Sequence, residues 1–217
     1  MTAKGRRRNA RTAGALAAVA GVLALSGCGI RTTTPVDAGA APSRVPCEVS
    51  EGPITPQAQQ EGVPVRIYLV CASQLEPVER TARITEERAV DDRIEFAQAL
   101  LDELQEEPSS SEQEAGLATF LRGPLVVGAG RKGDPAGTLR LSRQPEDLPS
   151  AALAQIVCTL AENSAAVRDG AAVRDDAVVL AGPGNYAPRA YVCTVGTKER
   201  PEGTVPTVGP LPEPSKS

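Results

Sequence analysis

The amino-acid sequence predicts an α+β fold: a single small domain with two helices packed on a small mixed β-sheet. Residues 88–104 and 148–162 carry apolar side chains three and four positions apart, which is the spacing of an amphipathic helix. Short apolar runs beside these segments end at glycine and proline turns, as strands do. With two Phe, three Tyr and no Trp, the core must be built from aliphatic side chains.

A strand and a long helix are the first predicted elements. Apolar residues alternate with other side chains over residues 63–69, which predicts a strand with one buried face. We expect the helix over residues 88–104 to end before Pro108 and the serines that follow. This helix places most of its acidic residues on a solvent-facing side, namely Asp91, Asp92, Glu95, Asp102 and Glu103.

The second half of the chain supplies the second helix and four strands. In the helix over residues 148–162, Pro149 suits the first turn, where a missing N–H costs nothing. Small residues around Cys158 oppose the wide apolar face of this helix, which indicates that another segment crosses close to it. Apolar runs predict strands at residues 125–127, 139–141, 177–181 and 189–195.

The chain begins with the pattern of an export signal. Residues 1–12 hold five basic residues and no acid, and residues 13–26 hold no charge. The following Leu25-Ser26-Gly27-Cys28 resembles the lipobox of bacterial lipoproteins. That resemblance implies a signal peptide over residues 1–27, cleavage and lipidation at Cys28 by lipoprotein processing enzymes, and a lipid anchor on the extracytoplasmic face of the cell membrane.

The rest of the chain divides into a tether, a domain and a tail. Residues 28–46 have the Thr, Ala, Pro and Gly composition of a flexible tether, residues 47–195 form the predicted domain, and the proline-rich residues 196–217 predict a disordered tail. Without the signal peptide, 18 basic residues stand against 27 acidic ones, a net charge of −9. Such an acidic chain is a poor ligand for nucleic acid.

Four cysteines follow Cys28, and an even number in an exported chain favours two disulfides. Three pairings are possible. The close crossing expected at Cys158 favours a Cys158–Cys193 bond, which leaves Cys47 to pair with Cys71. The sequence has no C-x-x-C spacing and no histidine, so it argues against a zinc centre or a thioredoxin-like site.

The sequence offers no complete catalytic constellation. Without histidine there is no Ser-His-Asp or Cys-His arrangement. Residues 128–133, GAGRKG, match G-x-G-x-x-G, but a turn and a strand follow where a dinucleotide site needs a helix, so we expect a hairpin loop. Adjacent acids such as Glu86-Glu87 and Glu106-Glu107 are expected to be solvated. We therefore expect no enzyme, no cofactor and no metal.

Several segments in combination resemble the GerMN domain of spore-germination and cell-envelope proteins, here of an actinobacterial lipoprotein type. VRIYLV (65–70), LEPVER (75–80) and residues 96–121 are similar to its opening strand, the segment after it and its longest motif, although Glu107-Pro108 replaces the usual Gly-Pro. LRLSR (139–143) and LAQIVCTL (153–160) are similar to its late strand and helix. The resemblance spans about residues 63–182 and implies a module of envelope complexes without catalytic residues.

From these patterns we expect a membrane-anchored, non-catalytic lipoprotein that presents one domain to an envelope protein, such as a sensor kinase ectodomain or a cell-wall complex. Two alternatives belong to other classes. A small-ligand carrier would need a lined pocket, which the scarcity of aromatic residues disfavours. An envelope enzyme would have to act through a carboxylate, because histidine is missing.

Overall fold

A computed structural model describes Cys47, Val49, residues 62–163, residues 177–209 and Leu211. The expected signal peptide, Cys28 and the tether over residues 28–46 lie outside this part of the chain. The described residues belong to one compact unit, Arg44–Ser217, and combine helices with β-structure, so the α+β class is confirmed. They form two sheets, however, where the sequence predicted one. None of the helices described there has the length and apolar character needed to cross a membrane.

The first sheet is a hairpin of β1 (Val63–Cys71) and β2 (Gln74–Ala82), which pair from Val63↔Ala82 to Cys71↔Gln74. The apolar alternation of the sequence predicted β1, whereas β2 was not predicted. The prediction of one buried face is wrong from Ile67 onward, because residues 67–71 are all buried and helices contact the strand. Ala72 and Ser73 form the turn with φ angles of 48° and 68°, a left-handed conformation that glycine or asparagine adopts more readily.

Two helices replace the predicted helix over residues 88–104: α1 (Glu86–Asp91) and α2 (Arg93–Gln105). The break falls at Asp92, whose carboxylate accepts hydrogen bonds from the N–H groups of Ile94 and Glu95 at 2.9 and 3.0 Å and so starts a new helix. The expectation that Glu103 faces solvent is also wrong, since this residue is 6% exposed.

The serines that were expected only to end a helix begin another, α3 (Ser110–Glu114). Ser109 and Glu112 form a reciprocal capping box: the Ser109 hydroxyl accepts from the Glu112 N–H, and the Glu112 carboxylate accepts from the Ser109 N–H. This motif holds a short helix of five residues directly after Pro108.

The second sheet has five strands in the order β3 to β7. They are β3 (Val127–Ala129), β4 (Leu139–Leu141), β5 (Ala177–Ala181), β6 (Arg189–Val192) and β7 (Thr207–Val208). Only β4 and β5 run parallel, so the sheet is mixed as predicted. The predicted strand at residues 125–127 begins two residues later. The helix α4 (Ser150–Glu162) follows a 3₁₀ turn, with Pro149 as its N-cap.

The C-terminal boundary of the domain differs from the prediction. The strand predicted over residues 189–195 ends at Val192, and a Thr194–Thr197 capping box then starts α5 (Val195–Glu199). Val205 is buried, and β7 pairs with β6. Residues 196–208 therefore belong to the folded domain, because capping and strand pairing order a segment that has no apolar periodicity.

Helix α4 takes the place of a strand along the free edge of β1. The Thr159 hydroxyl accepts from the Tyr68 N–H at 3.0 Å, and the Gln155 amide donates to the Tyr68 carbonyl at 2.9 Å. The Asn163 amide donates to the Arg66 carbonyl at 2.7 Å. Gln155, Thr159 and Asn163 are four residues apart, so they lie on one helix face and match alternate residues of the strand.

Helix α2 holds an extended segment in the same way. The Gln98 side-chain oxygen accepts from the Val127 N–H at 2.8 Å, and that of Gln105 accepts from the Leu125 N–H at 2.6 Å. Both amide groups also donate to the Leu125 carbonyl. Around these polar contacts the core is aliphatic, as predicted, with Ile67, Leu101 and Ile156 fully buried.

Candidate functional site

The two disulfides join Cys47 to Cys71 and Cys158 to Cys193, the pairing that the sequence analysis favoured. Their Cα atoms are 5.7 and 4.9 Å apart. The first bond attaches the chain before the domain to the tip of the β1–β2 hairpin. The second attaches α4 to the segment between β6 and α5, which is the close crossing that the small residues of α4 indicated. Cys28, the expected lipidation site, lies outside the described residues.

The most unusual polar group in the described part of the chain is a buried cluster of Arg80, Glu103 and Glu112. Arg80 binds Glu112 through two parallel hydrogen bonds, Nε to Oε1 at 3.1 Å and Nη2 to Oε2 at 2.7 Å. The Arg80 Nη1 atom lies 3.9 Å from Glu103 Oε2. The three side chains are between 7% and 11% exposed, so one guanidinium and two carboxylates share a nearly dry site.

Each member of this cluster is placed by a different element. β2 carries Arg80 opposite Val65 in the hairpin register, on the face that α2 covers. The capping box of α3 fixes Glu112. Glu103 lies near the end of α2, where Arg80 Nη1 also donates to the Glu103 carbonyl at 2.6 Å. A cation at the carbonyl end of a helix is favourable, because it satisfies an unpaired carbonyl and the negative end of the helix dipole.

The cluster moves the pKa values of its two carboxylates in opposite directions. Burial alone would raise the pKa of Glu112, but the hydrogen bonds from Arg80 and from the Ser109 N–H outweigh it and hold that pKa below its ordinary value. For Glu103, burial and then the charge of Glu106 raise the pKa, and the charge of Arg80 only partly offsets them. Glu112 is therefore a paired anion, while Glu103 carries a charge that its surroundings disfavour.

A cavity of about 400 Å³ opens beside Glu103. Its size falls within the range of about 300–1,000 Å³ that is usual for ligand pockets. Three of its six lining side chains are carboxylates, against one guanidinium. The lining residues are Arg83, Ala99, Asp102, Glu103, Gln105 and Glu106. Arg83 and Glu106 form an exposed ion pair at 2.8 Å, so the buried Glu103 carboxylate is the distinctive group of this cavity.

A second polar group lies where β1, α4 and α5 meet. Lys198 Nζ lies 2.7 Å from the Tyr68 hydroxyl and 4.6 Å from the centre of its ring. The Tyr68 hydroxyl donates to Glu162 at 3.1 Å, and Arg66 donates to the same carboxylate at 3.0 Å. The Tyr68 hydroxyl bridges Lys198 and Glu162, and the ammonium lies over the ring, so this group fastens three elements together.

The glycine-rich segment over residues 128–133 lies in the β3–β4 hairpin, as predicted. Asp134 in this loop accepts two hydrogen bonds from Arg140, at 2.7 and 2.8 Å, and one from the Arg131 N–H at 2.6 Å. These hydrogen bonds, led by that of Arg140, hold the pKa of Asp134 below its ordinary value despite burial. Arg140 also donates to the Gly182 carbonyl at 2.7 Å, so it ties the loop to the β5–β6 turn.

The other acidic pairs behave as the sequence predicted wherever they are described. Glu86-Glu87 and Glu106-Glu107 are exposed, and Asp92 is a helix cap. The side chain of Asp91 and the pair Asp175-Asp176 lie outside the described part. Within the described ranges, no group of three His, Cys, Asp or Glu residues is arranged to hold a metal ion.

The Arg80–Glu103–Glu112 cluster was not predicted from the sequence, although one signal for it was present. Leu100 follows Phe96 by four residues and Glu103 follows Leu100 by three, so Glu103 continues the apolar stripe of its helix. A charged residue at such a position has to be buried beside a partner. The partner could not be identified from the sequence, because β2 was not predicted to be a strand.

Comparison of the chain with protein-family models, with curated proteins and with solved structures found no match.

Proposed function

We propose that this chain is a lipid-anchored lipoprotein of the extracytoplasmic membrane face that acts as a non-catalytic protein-interaction module. The observation that carries the proposal is Leu25-Ser26-Gly27-Cys28, placed directly after a basic segment and an uncharged apolar segment. Two disulfides in a single small domain support export, because such bonds persist in oxidising compartments.

The roles of the paired charges favour an interaction module over an enzyme. Arg80 joins β2 to α2 and α3, Arg140 joins the β3–β4 loop to the β5–β6 turn, and Glu162 joins α4 to β1. Each of these groups has an architectural task in the domain. The interaction would be made by surfaces that this frame holds in place, and the partner would be an envelope protein, such as a sensor kinase ectodomain or a cell-wall complex.

Crosslinking and co-purification from intact membranes test the proposal, with the wild-type chain compared to a Cys28→Ala variant. We expect mass spectrometry to find a lipid-modified N-terminal cysteine at residue 28 in the wild type. We also expect one envelope protein to be recovered with the wild type and to be lost with Cys28→Ala. An unmodified Cys28 contradicts the anchor, and recovery of processing enzymes alone contradicts the interaction module.

Because a cavity opens beside Glu103, a small-ligand carrier is a second candidate function. That function predicts a reproducible rise in melting temperature with one metabolite, since a ligand that binds only the folded state stabilises it by mass action. A screen that finds no such metabolite favours the interaction module.

A further inference from the structure

Backbone strain in the described part of the chain is concentrated at one disulfide. Apart from glycines, the residues with a positive φ angle there are Cys47 at 56°, Ala72 at 48° and Ser73 at 68°. Cys47 is bonded to Cys71, which directly precedes the other two. A left-handed conformation is unfavourable for a residue with a Cβ atom, because that atom approaches the following carbonyl oxygen. The bond therefore joins a strained cysteine to a strained hairpin tip.

The disulfide is the main attachment of Cys47 to the described domain. The Cys47 N–H also donates to the Ala115 carbonyl at 3.1 Å. The net contribution of one such hydrogen bond is about as large as the cost of the left-handed conformation, so the two nearly cancel. When the disulfide is reduced, Cys47 should therefore separate from the hairpin tip.

The Cys158–Cys193 bond lies between segments that regular structure holds in place. Cys158 is in the middle of α4, and Cys193 lies between the end of β6 and the Thr194 cap of α5. Reduction leaves both thiols close together, and their high effective concentration favours closure of the bond. The two bonds are alike in exposure, since each joins a cysteine that is 1% exposed to a half-buried one. They differ in how firmly the protein holds their thiols together.

The reduced form of the first bond already has a hydrogen-bond acceptor. Cys71 Sγ lies 3.4 Å from the Ala115 carbonyl oxygen, which is the atom that accepts from the Cys47 N–H. A free Cys71 thiol can donate to this oxygen after Cys47 has left. A buried carbonyl without a partner is costly, and the Ala115 carbonyl has a donor in both redox states.

We propose that the Cys47–Cys71 disulfide is a redox-sensitive attachment that a dithiol reductant opens while Cys158–Cys193 stays closed. A thiolate of the reductant attacks the half-buried Cys47 sulfur, the S–S bond breaks, and Cys71 leaves as a thiolate that takes up a proton. The second thiol of the reductant then resolves the mixed disulfide and frees the Cys47 thiol. Two electrons and two protons pass to the protein, and the reductant becomes a disulfide.

For a lipid-anchored chain, opening the bond changes the reach of the domain; this consequence rests on the proposed function above. With the bond closed, 18 residues lie between Cys28 and Cys47, and with it open, 34 residues lie between Cys28 and Val63 at the start of β1. At about 3.5 Å per residue, the greatest possible distance from anchor to domain rises from about 60 Å to about 120 Å. Reduction would then let the domain reach an envelope protein farther from the membrane.

Differential alkylation of the purified, oxidised full-length chain tests the proposal. The chain is incubated in native buffer with dithiothreitol, samples are quenched with N-ethylmaleimide at intervals, and tryptic peptides are analysed by mass spectrometry. Trypsin places each of the four cysteines in a different peptide. We expect Cys47 and Cys71 to be alkylated about 10-fold faster, or more, than Cys158 and Cys193. Equal rates, or faster alkylation of Cys158 and Cys193, overturn the proposal.

Two matched variants separate the attachment from the fold. Cys47→Ser reproduces the open state and should shift the urea midpoint less than Cys193→Ser, because Cys193 is bonded to the core helix α4. In ¹⁵N spectra, Cys47→Ser should move the amide signals of Cys71 and Ala115 and leave those of α4 in place. A loss of stability as large as that of Cys193→Ser overturns the role of the bond as an attachment.

All of these measurements are made on the chain in solution. Their failure is therefore distinguishable from failure of the lipid anchor or of co-purification.

Discussion

The side chain of Gln155 in α4 forms hydrogen bonds with main-chain groups of two different segments. Its replacement by methionine should destabilise the domain strongly. The residue is fully buried. Its amide donates to the Tyr68 carbonyl at 2.9 Å, and its oxygen accepts from the Phe120 N–H at 2.8 Å. Methionine has a similar length and volume, so the substitution removes both hydrogen bonds without leaving a large cavity.

The expected loss follows from the two groups left unpaired. A buried donor or acceptor without a partner costs about 1–3 kcal/mol. The Tyr68 carbonyl is buried and should bear the full penalty, whereas the bond at Phe120 is partly exposed and water can replace some of it. We therefore expect Gln155→Met to lower the free energy of unfolding by about 2–4 kcal/mol. That is a large part of the roughly 5–15 kcal/mol typical of a domain.

Urea unfolding followed by far-ultraviolet circular dichroism measures this loss, since the chain has no tryptophan for fluorescence. Thr159→Val, which leaves the Tyr68 N–H unpaired, should cost about 1–3 kcal/mol. Gln144→Met is the matched control, because Gln144 is exposed and caps its 3₁₀ turn without a side-chain bond. A loss below about 1 kcal/mol at Gln155, or one equal to that of the control, would refute the view that α4 replaces a strand.

Four further predictions concern charge and the hairpin. The pKa of Glu103 is raised, so the stability that this residue contributes is complete below its unfolded pKa of about 4.5 and is lost as pH rises. In urea titrations, the free energy of unfolding of Glu103→Gln should therefore increase relative to that of the wild type as pH rises. The pKa of Glu112 is lowered, so Glu112→Gln should show the opposite trend, with its deficit shrinking as pH falls below about 4.5. The double change Ala72→Asn, Ser73→Gly should raise the free energy of unfolding by about 1–2 kcal/mol, because it relieves two left-handed residues; an unchanged urea midpoint contradicts this. Pro77 lies in β2 opposite Tyr68, whose N–H points away from β2, so Pro77→Val should expose a donor on the outer edge and promote self-association in sedimentation experiments.

The elements that the sequence predicted well are those whose own residues determine them. The apolar stripe of α4 and the Leu139–Leu141 strand depend on local periodicity, and the structure contains both. β2 was missed because its apolar residues are few and Pro77 lies in its middle, so its strand character comes from pairing with β1. The break at Asp92 was missed because a capping carboxylate inside an apolar pattern looks like an ordinary surface acid.

The candidate site could not be predicted, because its members come from three elements. Glu103 lies 23 residues after Arg80 in the sequence, and Glu112 lies 32 residues after it. Single-sequence patterns describe neighbours along the chain and say nothing about such contacts. The disulfide pairing could be predicted because few cysteines leave few combinations, and because the small residues around Cys158 indicated a crossing segment.

The Cys47–Cys71 bond decides where a pull on the chain from its N-terminal side enters the domain. Tension that arrives at Cys47 passes through the disulfide to the hairpin tip, and through the Cys47 N–H to the Ala115 carbonyl at 3.1 Å. The bond closes a covalent loop from Cys47 to Cys71, so the tension does not have to pass along the chain between the two cysteines. The force is therefore applied at the closed end of two nine-residue strands. In a domain held in this way, a covalent bond carries the load, and the two strands do not have to separate first.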